Sequence, residues 1–194
     1  KKIRYLFGGD LLRQGIATSM GVEALQIPMF GLYGACSTSG EALALASMSA
    51  AAGYGGTMIA VTSSHFGSAE KEFRFPLGYA NQRPLSSHWT VTGSGAFLVQ
   101  SAEEYRKQNT KSYFSNIRIT GVTVGKIVDY GLKDSQNMGA CMAPAAMDTI
   151  VQNFQDMERK EKDYDRIITG DLGSIGRTIL FDLIREKGYD ICEK

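Results

Sequence analysis

Residues 28–53 read PMFGLYGACSTSGEALALASMSAAAG, and this stretch decides the fold. Its beginning is a short apolar run that predicts a strand over 28–33. The segment 37–52 is rich in Ala, Leu and Met, with Ser and Thr at its start and Gly53 at its end, which predicts a helix. That helix is apolar on nearly all sides, so we expect it to be central and fully buried. A strand that turns directly into a buried helix indicates an α/β fold.

The same alternation of strands and helices continues outward along the 194 residues. Strands are predicted over 3–8, 28–33, 57–62, 91–100, 116–128 and 166–169, and helices over 17–25, 37–52, 143–160 and 174–187. Such alternation favours parallel strand pairing. The long polar segment 63–90 is irregular, as functional segments often are, and 101–112 has the composition of a charged surface connection.

The composition excludes several classes of protein. Hydrophobic residues make up 43% and charged residues 21%, which is typical of a globular domain. A net charge of +1 argues against holding nucleic acid or an acidic membrane through bulk charge. No apolar run approaches the ~20 residues of a spanning helix. The dispersed Cys36, Cys141 and Cys192 indicate reduced thiols of an intracellular protein and show no metal-ligand spacing.

One block of the sequence is echoed later in the chain. Residues 6–15 read LFGGDLLRQG and residues 167–176 read IITGDLGSIG, each between an apolar run and a predicted helix. We interpret the echo as a duplicated α/β fold, with 1–114 the remainder of a first half and 115–194 the start of a second; a chance match is the alternative. Because the chain opens on Lys1 without Met or a signal peptide, we expect it to be part of a longer protein.

Cys36 is the strongest candidate for chemistry. It lies in the segment 34–39, where the predicted strand turns into the predicted helix. The unpaired N–H groups and the dipole of a helix N-terminus stabilise negative charge, so such a site lowers the pKa of a thiol and suits an anionic ligand. The alternative is a small buried residue without a functional role.

Other candidates come from the irregular region and its borders. His65 follows a predicted strand, at the edge where α/β sheets bind ligands. Arg74 lies between aromatic residues and either pairs with an anionic ligand or covers a ring. Gly93 belongs to a TGSGA turn that lacks the ending of a P-loop, so we interpret it as a pocket-lining turn. His88, beside the single tryptophan, is either a pocket residue or a packing residue.

We expect the strand ends and strand-to-helix joints to bring one set of side chains to a single cavity. That set is Asp10, Cys36, Ser37, Thr38, Ser63, His65 and Asp171, and Arg74 and Gly93 complete the predicted ligand-binding residues. No residue is assigned as a metal ligand.

Several blocks of the chain resemble the stage V sporulation AD family of spore-forming Firmicutes, which belongs to the thiolase-like superfamily. They are GDLL at 9–12, FGLYGACSTS at 30–39, VTSSH at 61–65, TVTGSGA at 90–96, MAPAA at 142–146 and TGDL at 169–172. The similarity runs in order over essentially the whole chain, and members of the family are longer at both ends.

The resemblance implies a duplicated, five-layered αβαβα thiolase-like fold, present here only in part, and a homodimer. It implies binding of dipicolinic acid, with calcium as a companion ion, for uptake of the acid into the developing spore. The expected partners are other stage V sporulation membrane proteins, at the periphery of the forespore or spore inner membrane; no nucleic acid is expected.

Condensing enzymes of this superfamily use the position of Cys36 as a nucleophile and place a catalytic histidine at the second-half joint. That joint reads TGDL here, with Asp171 and no histidine. A thiol without a basic imidazole is poorly activated, and a nearby carboxylate opposes thiolate formation. We therefore expect a non-catalytic binding protein. The alternatives are a ketoacyl synthase-like acyltransferase that uses Cys36, and a structural subunit with an empty pocket.

Overall fold

The computed structural model describes residues 3–12, 15–64, 85–86, 88, 92–108 and 117–194. The chain divides into two compact units. The first unit contains residues 1–70 and 90–119, and the second contains residues 71–89 and 120–194. The boundary predicted between residues 114 and 115 lies outside the described residues.

A four-stranded sheet with the order β2–β1–β3–β4 forms the first unit. Its strands are β1 (Tyr5–Asp10), β2 (Met29–Gly31), β3 (Thr57–Ser64) and β4 (Gly93–Gln100). β1 pairs in parallel with β2 and β3, whereas β4 pairs antiparallel with β3. The four predicted strands of this unit are confirmed within a few residues. The prediction of parallel pairing fails only for β4, an antiparallel edge strand of a kind common on otherwise parallel sheets.

Among the described residues, three α-helices belong to the first unit: α1 (Ile16–Val22), α2 (Thr38–Ala51) and α3 (Ala102–Gln108). The first two confirm predicted helices, with a 3₁₀ turn at Glu23–Leu25 completing the first prediction. The segment predicted as a charged surface connection is charged and mostly exposed, but it also contains α3, a helix that the sequence analysis did not predict. Its acidic first turn and basic last turn complement the helix dipole, and this charge order is the signal that could have revealed the helix.

α2 lies against the sheet along one narrow stripe. Ala42, Ala46 and Ala50 recur every four residues, are buried, and belong to the same core cluster as Phe7 of β1. Because alanine is small, the helix can approach the strands closely. Met48 on the same helix is 51% exposed, so the prediction of a fully buried helix is wrong for the described chain.

The second unit is built on two helices, α4 (Met138–Asp156) and α5 (Gly173–Glu186). The buried core cluster of this unit combines residues of both helices with Leu172 and Ile191 beside them; its members are Ala143, Met147, Phe154, Leu172, Leu180, Ile184 and Ile191. α4 begins five residues before its predicted start because the Asn137 side chain accepts a hydrogen bond from the Ala140 N–H and caps the helix there. Pro144, a residue typical of a first helical turn, instead lies inside α4.

The strand predicted over 116–128 does not form within the described residues, where 117–134 lacks regular secondary structure. Part of this segment packs along α4 instead. Asn153 Nδ2 donates to Thr123 Oγ1 at 2.9 Å, and Lys126 Nζ lies 3.0 Å from Asp148 Oδ1. The alternating sequence pattern predicts which residues share a face of an extended chain. It does not predict whether a neighbouring strand is present to form the hydrogen bonds of a sheet.

The buried strand predicted over 166–169 is also wrong. Ile168 is 89% exposed, and the segment is not a strand. The Ile167 N–H donates to the Lys194 carbonyl oxygen at 3.0 Å. A short apolar run favours extended backbone, but burial depends on packing partners that the run itself does not specify.

We expect Gly176→Ala to lower the free energy of unfolding by about 1–3 kcal/mol, the usual cost of overpacking a core. A β-carbon at Gly176 would lie 2.7 Å from backbone atoms of Gly139, where α4 and α5 cross. Urea unfolding of the full-length protein measures the change. Gly40→Ala is the control, since a β-carbon there meets nothing within 4 Å and alanine favours the helix. Equal or higher stability of Gly176→Ala would contradict the close helix crossing.

Candidate functional site

A strained turn joins β2 to α2, and we call its residues 34–38 the Cys36 elbow. Ala35 has a φ of 48°, in the left-handed region that L-residues other than Asn and Asp rarely adopt. Residues Ala35–Ser37 form a single 3₁₀ turn directly before the first residue of α2. The Cys36 side chain is exposed at this turn.

Hydrogen bonds within the elbow hold its conformation. The Thr38 hydroxyl donates to the Ala35 carbonyl oxygen at 2.8 Å and accepts from the Gly34 N–H at 3.0 Å. Ser37 adds two donors to the Gly34 carbonyl oxygen, from its N–H at 2.9 Å and from its hydroxyl at 2.8 Å. Thr38 is only 2% exposed, so its hydroxyl orders the turn and is not open to solvent, whereas Ser37 is exposed.

Asp10 ends β1 as a buried carboxylate, 1% exposed. Its oxygens accept hydrogen bonds from the Ala17 N–H at 2.9 Å and the Thr18 N–H at 2.7 Å, both in the first turn of α1. The Thr18 hydroxyl also donates to it, and Ser63 Oγ lies 3.4 Å from it. Asp10 therefore caps α1 from the end of a strand, using the preference of helix N-termini for negative charge.

The structure brings several predicted site residues of the first unit to one edge of the sheet. Asp10 pairs in register with Ser63 of β3, and Ser64 pairs with Gly93, the exposed first residue of β4. The Leu32 N–H, just before the elbow, donates to the Gly8 carbonyl oxygen of β1 at 2.9 Å. The Cys36 elbow thus leaves the sheet at the carboxyl ends of its parallel strands, the edge at which such sheets bind ligands.

Asp171 belongs to the second unit and is exposed. Its Oδ1 accepts a hydrogen bond from the Gly173 N–H at 2.9 Å, at the first residue of α5. It also lines a groove of about 540 Å³, together with Arg166, Arg177 and the last residues of the chain. Both aspartates of the repeated block thus bind backbone N–H groups at the start of the next helix. The convergence of Asp171 with the elbow stays a prediction, because the two belong to different units.

The two remaining predicted site residues, His65 and Arg74, lie outside the described residues. The sequence analysis interpreted His88 as either a pocket residue or a packing residue. The structure shows that His88 is buried. Within the described part of the chain its Nε2 has no hydrogen-bond partner. No group of three or more His, Cys, Asp or Glu side chains among the described residues is arranged to hold a metal ion. No described helix is both long and apolar enough to cross a bilayer.

Comparison with known proteins identifies the family. The model of the family described as stage V sporulation protein AD (SpoVAD) matches residues 1–194. The chain belongs to the SpoVAD family. Stage V sporulation protein AD of Bacillus subtilis (strain 168) is 42% identical over 192 residues, which are 99% of this chain and 54% of that protein. The chain therefore spans about half the length of this curated relative.

The fold of this SpoVAD chain is thiolase-like. A solved structure described as AbyA1, a tetronic acid condensing enzyme, superimposes with a TM-score of 0.56. The match covers 97% of this chain and 63% of that one at 12% sequence identity, so it concerns the fold alone. The predicted thiolase-like α/β fold is confirmed.

The other two thiols of the SpoVAD chain provide references for Cys36. Cys141 lies in α4 and is exposed. Cys192 is partly exposed; its hydrogen bond with the Asp190 side chain raises the pKa of the thiol, whereas the guanidinium of Arg185, whose Nη2 lies 2.8 Å from the sulfur, lowers it. The raising effect prevails.

Glu41, in α2 just after this SpoVAD elbow, is a carboxylate near the candidate site that the sequence analysis did not single out. It is half-buried in the first turn of α2, and its Oε2 lies 3.1 Å from the position that a β-carbon on Gly34 would occupy. Thr38 and Glu41 have the spacing of a capping box, which is the signal that could have pointed to Glu41. The side chain has no hydrogen bond or ion pair within the described part of the chain.

Proposed function

We propose that this protein binds dipicolinic acid without catalysing a reaction, and that it serves the uptake of the acid into the developing spore. Calcium enters the proposal as the ion that accompanies the acid. The observation that carries the proposal is the exposed Cys36 elbow at the carboxyl edge of the sheet, in a chain of a sporulation family.

The chemistry of the ligand suits such an elbow. Dipicolinate is a small planar dianion whose two carboxylates need N–H donors or cations. The 14-residue helix α2 presents its N-terminus at the elbow, and Ser37 and Ser39 there are small and exposed. Small side chains allow a carboxylate to approach the backbone N–H groups, and the helix dipole favours its charge. In the proposal, His65 and Arg74 provide positive charge for the carboxylates of the ligand. Gly93 allows the ligand to approach the backbone closely.

The two aspartates of the predicted site have different parts in this proposal. Asp10 is committed to the first turn of α1, so we assign it the role of a structural residue near the pocket. Asp171 is exposed and suits a cation better, because calcium prefers carboxylate oxygens. In the proposal, Asp171 contacts calcium that arrives with the acid.

The proposed partners are other stage V sporulation membrane proteins, and a second copy of the chain in a homodimer. We place the protein at the periphery of the forespore or spore inner membrane. The net charge of +1 supports docking through protein partners over attraction by a polybasic surface.

A ketoacyl synthase-like acyltransferase is the second candidate, and the exposed sulfur of Cys36 at a helix start favours it. The TGDL joint opposes it, because no histidine stands there to activate the thiol. Incubation with an acyl thioester followed by intact-mass spectrometry separates the two candidates. Binding without catalysis predicts an unchanged protein mass, and an acyl adduct on Cys36 would favour the enzyme.

Calorimetric titration of the full-length protein with dipicolinate, with and without calcium, tests the binding proposal. We expect saturable heat with a stoichiometry near one site per chain. Absence of heat under both conditions, in protein shown to be folded, would contradict the proposal and favour a structural subunit whose pocket is empty.

A further inference from the structure

We propose that Thr38 is a positioning residue for dipicolinate: its buried hydroxyl holds Ala35 in the left-handed conformation, and thereby sets the shape of the Cys36 elbow that receives the ligand. This inference rests on the proposed function and deepens it, since it concerns how the elbow is held for binding. It gives Thr38, which the sequence predicts to bind the ligand, a role without ligand contact.

The conformation of Ala35 needs support from its surroundings. A φ of 48° brings the β-carbon of an L-residue too close to the following carbonyl oxygen, so Ala35 is strained. Such a residue keeps its conformation only where neighbouring contacts hold it, and strain of this kind is common at ligand-binding sites. Ala35 directly precedes Cys36, so its dihedral angles determine where the exposed cysteine and the first turn of α2 lie relative to β2.

The Thr38 hydroxyl supplies that support on both sides of Ala35. It accepts a hydrogen bond from the Gly34 N–H at 3.0 Å, before Ala35, and donates one to the Ala35 carbonyl oxygen at 2.8 Å, after it. The two bonds close a ring around the backbone of residues 34 and 35, and the φ torsion of Ala35 lies within that ring. The Thr38 N–H also bonds to the Ala35 carbonyl oxygen, but it is the hydroxyl that reaches the Gly34 N–H.

The same side chain joins the elbow to the sheet. Thr38 Cγ2 lies 3.1 Å from the position that a β-carbon on Gly9 would occupy, so the methyl group lies against β1 near the end of that strand. The hydroxyl thus holds the elbow, and the methyl group packs on the sheet. Thr38→Val and Thr38→Ser separate these two tasks, because valine retains the methyl group and serine retains the hydroxyl.

Burial separates this role from direct contact with the acid. Thr38 is 2% exposed, and the one hydrogen atom of its hydroxyl is donated within the elbow. A carboxylate of dipicolinate needs a donor, which this hydroxyl cannot supply without releasing Ala35. Thr38 therefore acts through the geometry of the elbow. Groups that are already ordered bind a ligand more tightly than groups that must be ordered during binding.

Calorimetric titration of the full-length protein with dipicolinate, in the presence of calcium, tests this role. Thr38→Val removes the hydroxyl and lets Ala35 leave the left-handed region, so we expect the dissociation constant to rise about tenfold or more. Thr38→Ser retains the hydroxyl and should change the constant by less than about threefold. The control is Ser47→Ala, which removes a hydroxyl that donates to the Leu43 carbonyl oxygen further along α2 and should leave the constant unchanged.

The double variant Ala35→Gly/Thr38→Val distinguishes positioning from contact. Glycine adopts a positive φ without steric cost, so the elbow no longer needs the hydroxyl to hold its shape. We therefore expect glycine to restore most of the affinity that Thr38→Val loses. Weak binding that glycine does not restore would overturn the proposal, because it would make the hydroxyl a direct contact of the ligand.

Unchanged binding by Thr38→Val would overturn the proposal as well. Thermal unfolding shows whether each variant is folded, and Thr38→Ala, which also lacks the hydroxyl, replaces Thr38→Val if that variant does not fold. The unaltered protein is titrated in the same series. Absence of binding there contradicts the proposed function and this inference with it, whereas equal binding by the unaltered protein and Thr38→Val rejects the positioning role alone.

Discussion

Asp10→Ala is expected to lower the free energy of unfolding by about 3–5 kcal/mol, the largest loss of stability that we foresee for a single substitution. The carboxylate is 1% exposed and accepts bonds from two backbone N–H groups and one hydroxyl at the start of α1. Alanine leaves those donors buried without an acceptor, and hydrogen bonds to a charged acceptor are the stronger kind. Urea unfolding of the full-length protein measures the loss.

Two further variants make the Asp10 result specific. Asp10→Asn retains one acceptor oxygen and should lose less stability than Asp10→Ala. Asp182→Ala removes an exposed carboxylate of α5 and should change the free energy of unfolding by less than about 0.5 kcal/mol. A loss below about 1 kcal/mol for Asp10→Ala would show that the carboxylate is not the cap of α1.

Cys36→Phe should abolish the binding of dipicolinate, whereas Cys36→Ala should weaken it by less than about tenfold. The elbow is composed of small residues around an exposed cysteine, so a phenyl ring would occupy the space proposed for the ligand. Alanine removes only the sulfur, and the proposed binding needs no covalent chemistry. Calorimetric titration of both full-length variants measures the difference.

The matched control is Cys141→Phe, which places the same ring at an exposed cysteine on α4. It should bind dipicolinate like the unaltered protein, and thermal unfolding should show that each variant is folded. If Cys36→Ala loses binding as completely as Cys36→Phe, the sulfur has a specific role that the proposal denies.

The elements around the elbow were predictable because their signals are local. The apolar run at β2, the Ser and Thr that open α2 and the alanines along it indicate strand, turn and helix without knowledge of distant residues. The position of Cys36 at that joint, and with it the candidate site, follows from the same local pattern.

Features that depend on tertiary neighbours were not predictable in this way. Apolar and polar residues alternate around Thr123 as they do in a strand, yet the contacts observed for this segment are with α4. Ile168 is apolar, yet it is exposed. Asp10 and Thr38 looked like ligand-binding residues because of where they lie in the sequence. Only the structure shows that the Asp10 carboxylate and the Thr38 hydroxyl are engaged in internal hydrogen bonds. Glu41 was missed because the sequence does not show that its Oε2 lies 3.1 Å from the position that a β-carbon on Gly34 would occupy.

A crystal structure of the full-length protein with dipicolinate tests the central claim most directly, since it locates the ligand and shows how it is held. We predict electron density for an intact, non-covalent ligand with one carboxylate at the backbone N–H groups of the Cys36 elbow, and Cys36 Sγ unmodified. Density for the acid at another place in the protein, or a covalent bond from Sγ to an acyl group, would contradict it.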